Sequence, residues 1–526
     1  MSPSSGRSRD VDVIVVGAGH NGLAAAARLA GTGLRTLVLE RRSVVGGAAI
    51  TGELHPGYRC PTLAHVAQPD PEVLRELQLA RHGLKLIDAD PWLFAPCPDG
   101  RGLALSWDDE VSGGSIAQFS DNDARMYPKF RATLGRITRF VADVSARTPP
   151  DIEHASVSNL WTLVTLGGRL RGLGREDGYR LLRWAPMPAA DFVAEWFQSE
   201  PLRAVLAAPG IFGTTMGPRS AGSTGVLLLQ LATGDGTPRL VAGGVGAFSD
   251  ALAAAARAAG ADIRTDRAVA RISIADGRAR GVVLDDGEEV TAKIVVSNAD
   301  PKRTLLGLVG EAYLDPAIVR RVRAYRSTGA IAKINLALRA LPEFTAGDAG
   351  SLGGRIHIGP NLDYLERASD AFRYGAWSPR PYLDVTIPSL SDSTLAPPGC
   401  HVMSICAQVA PFALRGGDWR EAGPRFADAI VDTLAAYAPD VKDLVVHRQV
   451  ITPADLESTY GLTGGHPFHG ELALDQLFTM RPLLGWARYQ TPVAGLYLCG
   501  AGTHPGYGVS GRSGFNAARE IVNALS

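Results

Sequence analysis

The run from Val11 to Gly22 constrains this chain more than any other stretch. Asp12-Val13-Ile14-Val15-Val16 is apolar and of strand length, Gly17-Ala18-Gly19-His20-Asn21-Gly22 follows, and the alanine-rich stretch Leu23 to Gly31 reads as a helix. Gly17 permits a tight turn, Gly19 lets a pyrophosphate reach the backbone, and Gly22 lets the helix pack on the strand. The helix start then offers free N–H groups and partial positive charge to phosphates. A second apolar run, Thr36 to Leu39, ends at Glu40, 18 residues beyond Gly22, where a carboxylate accepts from ribose hydroxyls. Strand, turn, helix and acid together predict a dinucleotide site on a doubly wound sheet.

The chain has 526 residues, beyond the roughly 250–300 at which a single core stops growing, so more than one domain is expected. Lys plus Arg and Asp plus Glu both number 53, and this neutrality argues against a nucleic-acid partner. The five cysteines, Cys60, Cys97, Cys400, Cys406 and Cys499, form no CxxC pair. A disulfide scaffold, a metal site and a dithiol redox centre are therefore not expected, and buried free thiols in a reducing cytoplasm are. Met1 to Asp10 lacks an apolar h-region, and no run of 18 apolar residues occurs, so neither secretion nor a membrane span is expected.

The motif's surroundings turn the dinucleotide towards FAD. Past Glu40 and Arg41, the pair Gly46-Gly47, followed by Ala48, offers close backbone approach to a second part of a long cofactor. His55 to His65 is turn-rich and should lie over that cofactor, with His55 and His65 as candidates for the flavin face. Ser120 with Asp123 opens a long amphipathic helix carrying Met126, Phe130, Leu134, Ile137, Val141 and Val144. The helical, aromatic stretch up to about Thr237 reads as a lid. Its arginines, from Arg169 to Arg183, form either a solvated face or a rest on anionic lipid headgroups.

Leu240 to Phe248 opens another alanine-rich helix but lacks the GxGxxG order, so no second nucleotide site is expected. A strand at Ala261 to Thr265, a hairpin turning at Ala275-Asp276-Gly277 and a strand at Val290 to Val296 suggest a return to the nucleotide domain, with Val269 beside the adenine. From Thr304 to His447, strands (Ala332 to Leu338, Tyr382 to Ile387, His401 to Val409) and a helix at Pro424 to Tyr437 suggest a sheet-floored substrate domain. Lys333 in the first of these either points at a pocket or, as strand lysines usually do, faces solvent. Near the end, the strand Leu496 to Cys499, the loop Gly500 to Val509 and a helix from Ser513 make a second anion-accepting corner, suited to a reduced flavin ring. The predicted architecture is α/β. A discontinuous, glutathione reductase-like Rossmann FAD-binding domain (8–110, 238–303, 451–526) joins an α+β substrate domain (304–450) with a helical lid (111–237).

Val13 to Gly22, Glu40, Gly46-Gly47, Gly243-Gly244, Val295 to Asp300 and Tyr497 to Gly508 resemble the flavin-dependent phytoene desaturase and carotenoid isomerase superfamily, itself related to amine oxidases. Within it, Gly464 to Leu472, Asp475 to Phe478, Arg481-Pro482 and Gly500 to Gly506 are most similar to a branch named after pyridine nucleotide-disulfide oxidoreductases. The resemblance implies non-covalent FAD held by Gly17, Ala18, Gly19, His20, Asn21, Gly22, Glu40, Arg41, Gly46, Gly47, Ala48, Val269, Gly500, Ala501, Gly508 and Val509. An arginine often follows the glycine pair in desaturases, and Ala48 replaces it here. The expected activity is hydride removal from a small lipophilic substrate to flavin, forming or isomerising a C=C bond, with oxygen or a quinone as electron acceptor. Amine oxidation on the same fold, and a flavoprotein without turnover, are the alternatives. His504, His469 and His65 are the candidate proton-handling residues.

Overall fold

A computed structural model describes residues 11–151, 157–233 and 239–525. The expected lid boundary at 237 lies outside the described residues. Five parallel strands stand in the order Asp262–Arg264, Thr36–Leu39, Val11–Val16, Glu289–Ser297 and Leu496–Leu498. The hairpin Val269–Ala275 and Arg278–Leu284 joins antiparallel to the first half of Glu289–Ser297. Its turn uses Asp276 and Gly277, both at positive φ, as a two-residue hairpin requires.

Alternation along Val11–Val16 divides the core between the two faces. Val13 and Val15 face the helices His20–Gly31, Gly246–Ala258 and Arg512–Leu525, packing with Leu23, Phe248 and Phe515. Ile14 and Val16 face the other way with Leu37, Leu39, Leu305 and Trp486. Fully burying each such side chain contributes about 1.5–3 kcal/mol. The glycines at 244 and 246 serve this packing: a Cβ at either would fall within 2.5 Å of Thr51.

The second sheet orders Val445–Ile451, Ile331–Leu338, His401–Gln408, Tyr382–Thr386, Arg355–Ile358, Leu93–Pro96 and Gly102–Leu105. All neighbours are antiparallel except Arg355–Ile358 with Leu93–Pro96. Two of these strands come from before residue 110. One face, with Ile334, Leu336, Leu383 and Ile405, packs on Phe426, Ile430 and Leu434 of the helix Trp419–Ala435. That helix starts ahead of the expected Pro424, because the Asp418 side chain caps it by accepting from the N–H groups of Arg420 and Glu421. Pro424 sits inside it. The opposite face carries Lys333, Asn335, Asp384, Thr386, Ser404 and Cys406, all buried.

The segment Pro61 to His65 lies on that polar face, where the Pro61 and Thr62 carbonyls accept from Ser404 and Asn335 and His65 bonds Asp384, and helices between Asp109 and Ala232 roof the Arg355 and Tyr382 end. The longest, Asp121–Ser145, starts at Ser120, whose hydroxyl accepts from the Asp123 N–H at 3.2 Å, as its sequence predicts. Phe130 buries against Phe192, Trp196 and Phe197, with centroids 5.0–5.8 Å away. The result is an α/β nucleotide unit, a sheet floor and a helical roof.

Candidate functional site

Three connected spaces run between these layers. A groove of about 1620 Å³ follows the first glycine turn. It shares His20, Ala48, Leu462, Pro467 and Ala501 with a chamber of about 1000 Å³. Gln68, Arg355 and Tyr507 connect that chamber to a third space of about 1420 Å³ beneath the roof.

The groove is built by backbone. Gly17, Gly19, His20, Asn21, Glu40, Arg41, Gly47, Ala48, Val269 and Ala501 line it. Ala18 and Gly46 brace its wall: Ala18 N–H donates to Glu40 Oε2 at 2.8 Å, and Gly46 N–H to the Ala18 carbonyl at 2.8 Å. A Cβ on Gly19 would lie 2.5 Å from Asn298 Nδ2, and one on Gly22 2.2 Å from the Gly17 carbonyl. The helix His20–Gly31 has no side-chain cap at Gly19, so its first N–H groups face the groove. Gly500 stands behind the wall, where a Cβ would meet the Asn298 carbonyl at 2.6 Å.

Arg41 and Arg303 enter the groove together. Burial, then the like charge of Arg303, holds the Arg41 guanidinium below its usual range. Such a pair suits a doubly charged pyrophosphate. His20 Nε2, Asn21 Oδ1 and His469 Nδ1 are buried without partners. Orphaned polar atoms, a glycine cradle and paired arginines fit an extended FAD, whose polar groups would complete them.

Side chains from separate strands build the middle chamber. Lys333 registers against Cys406, Cys406 against Asp384, and Asp384 against His357, so one polar row crosses four strands. His65 enters this row from the loop Ala64 to Val66. Lys333 Nζ donates to His65 Nδ1 at 3.2 Å, and His65 Nε2 donates to Asp384 Oδ2 at 3.1 Å. Arg355 clamps the same carboxylate with bonds of 3.0 and 2.8 Å. Lys333 also bonds the Ser404 hydroxyl.

Burial pushes the Asp384 carboxyl up, but Arg355 and His65 outweigh it and hold it well below the carboxylate range. Burial likewise works against charged His65, yet Cys406 and Asp384 move it above the ordinary histidine range. The Cys406 thiol is pushed up by burial and brought below its usual range by His65 and Lys333. Phe212, Phe468 and Tyr507 supply aromatic wall, with Gly508 and Val509 beside them. Under the roof the lining is mostly apolar, including Trp92, Trp107, Phe130, Leu134, Leu206 and Leu231.

Of the three histidines proposed for proton handling, His65 lies in the middle chamber and His469 in the groove. His504 lies outside the residues lining all three spaces. Its ring packs against Phe478 at 5.7 Å, and burial lowers it to about 3. His55 stacks on His447 at 5.5 Å, also away from these linings. Sequence reading left out Arg303, Arg355 and Asp384 and left Lys333 undecided. The signal was present as the alternating pairs Lys333/Asn335, Asp384/Thr386 and Ser404/Cys406 within three strands, but a solvent-facing sheet gives the same pattern. Arg481, fully buried, donates to the carbonyls of Phe468, Gly470, Glu471, Gln476 and Ala501 and ties the last glycine loop to the chamber wall.

Residues 22–356 match the profile of the flavin containing amine oxidoreductases. The chain is 38% identical to pyridine nucleotide-disulfide oxidoreductase domain-containing protein 2 of Rattus norvegicus, over 98% of this chain and 94% of that protein. It is 27% identical to a neurosporene-forming phytoene desaturase of Cereibacter sphaeroides, over 97% and 93% of the two chains. A triple mutant of putrescine oxidase shares the fold at TM-score 0.60 and 16% identity, with coverage of 98% and 99%.

Proposed function

Because this chain belongs to the flavin containing amine oxidoreductase family and is an FAD-dependent oxidoreductase, we propose that it oxidises a C–H bond of a lipophilic, uncharged or anionic substrate, forming or isomerising a C=C bond. The bound FAD supplies the hydride acceptor. Arg41, Arg303 and the glycine turn hold the pyrophosphate, and Glu40 the ribose. The roof excludes water and seats the apolar body of the substrate against Trp92, Phe130 and Leu134. Lys333 and His65 handle the proton released at the middle chamber, while Asp384 and Arg355 fix the imidazole.

One observation favours this over amine oxidation. Lys333 and Arg355 present two cations to the middle chamber, and among the described residues the one carboxylate lining it, Asp384, is already bonded to Arg355 and His65. An ammonium substrate would meet repulsion with no free counter-charge. The phytoene desaturase likeness points the same way. The electrons pass on to oxygen or a quinone.

Peripheral membrane contact belongs to the same reading. The helix Val157–Gly172 exposes Leu160, Trp161, Leu163 and Val164 and carries Arg169, paired with Asp143, and Arg171 in its last turn. No helix among the described residues is long and apolar enough to cross a membrane.

Anaerobic mixing of the FAD-loaded protein with polyenes, long-chain acyl compounds and amines of similar size tests the reaction. Bleaching of the flavin by either of the first two classes supports it; bleaching by amines alone overturns it. Sedimentation with anionic liposomes, lost in Trp161→Asp, is expected for the membrane contact.

A further inference from the structure

We propose that Cys406 is a nucleophilic thiol that captures α,β-unsaturated carbonyl compounds entering the middle chamber, with Lys333 as the proton source. Three observations carry it. Cys406 lines the chamber, which opens past Gln68, Arg355 and Tyr507 to the mostly apolar space beneath the roof and so admits a chain-like ligand. Its Sγ lies 3.6 Å from His65 Nδ1, and Lys333 is its cross-strand neighbour. The third is charge balance. Lys333 is 2% exposed, and Arg355 already claims Asp384. The positive charge that Lys333 and His65 share needs a buried counter-ion.

The other acids facing this cluster do not supply one. Tyr382 and Tyr507 are both pushed up by burial and stay neutral phenols. Cys60 also feels Lys333, but burial pushes its thiol up to about 12. Cys406 is the thiol that Lys333 and His65 both favour as thiolate, the form that attacks carbon.

The step balances within the chamber. Sγ bonds to the β-carbon, the C=C electron pair moves onto the α-carbon through the enolate, and a proton from the Lys333 ammonium goes to the α-carbon. Thiolate and ammonium charges vanish together, leaving a thioether and a neutral amine. No oxidant or reductant enters, so the capture needs no turnover and stands apart from the substrate assignment above.

The test treats the FAD-loaded full chain with crotonaldehyde and with a longer straight-chain alkenal, followed by intact mass and peptide mapping. A single adduct on Cys406 is expected, absent in Cys406→Ser. In Lys333→Met, capture at Cys406 is expected to slow by about tenfold for each unit that the thiol pKa rises, while iodoacetamide labelling of Cys400 keeps its rate. Adducts on other residues with Cys406 unmodified overturn the proposal, as does an unchanged rate in Lys333→Met. Should the serine variant fail to fold, the wild-type peptide map alone decides.

Discussion

The groove and the middle chamber adjoin one another, yet they are made in opposite ways. The groove is organised around one contiguous turn, with main-chain N–H groups, missing Cβ atoms and a carboxylate that folds back onto Ala18, and Val269, Arg303 and Ala501 only close its sides. The chamber wall is a product of register. Hydrogen-bonded strands align residues 333, 384 and 406 in one row, and His65 reaches that row from a loop far away in the chain. A backbone-built site tolerates few substitutions because atoms would overlap, while a side-chain-built one fails through lost charge pairing. The two therefore respond differently to mutation.

The largest effect is expected in the groove. Gly22→Val places a branched side chain where even a Cβ lies 2.2 Å from the Gly17 carbonyl. Overpacking of this kind costs about 3 kcal/mol or more, so purified protein should lack the visible flavin bands. A variant that keeps full FAD content would break the comparison.

Acid weakens the fold as a whole rather than either region alone. Burial lowers His20 and His357 to about 4, and His466 and His504 to about 3, from an ordinary 6.5. These rings stay neutral in the folded chain but gain protons when unfolded, so stability falls as pH drops below 6.5. Each contributes up to about 1.4 kcal/mol per pH unit. Asp384, depressed in the fold, adds to the loss at still lower pH. Unfolding free energies in urea between pH 7 and 5 check this, and a flat profile would contradict it.

Asp384→Ala isolates the chamber wall. It leaves Arg355, with 20% of its side chain exposed, and buried His65 without their acceptor. A loss of about 3 kcal/mol in stability is expected, with FAD still bound through the intact groove. Lys333→Met sharpens the contrast further. Reduction of bound FAD by substrate should slow about 100-fold, with FAD affinity unchanged; stopped-flow and a flavin titration separate the two.

Much of the nucleotide half was legible because its signals are local. The strand Val11–Val16, the turn and the helix His20–Gly31 follow one another, and Glu40 sits at the end of the next strand. Ser120 announced its helix for the same reason. Pro424 misled because a proline favours the first turn of a helix, while the Asp418 cap upstream of it had already started this one. His504 looked like a flavin neighbour from its place in the last glycine loop, yet its ring packs on Phe478.

The sequence by itself determined the cofactor class, the doubly wound unit and the existence of a roof, since each rests on contiguous periodicity or on residues that only one backbone conformation admits. The tertiary structure alone decided which side chains meet in the chamber. A short alternation such as Lys333/Asn335 reads identically whether it faces water or a cavity. Only the segment bearing His65, laid across the sheet, and the strand register turn Lys333, Cys406 and Asp384 into a buried, charge-matched row.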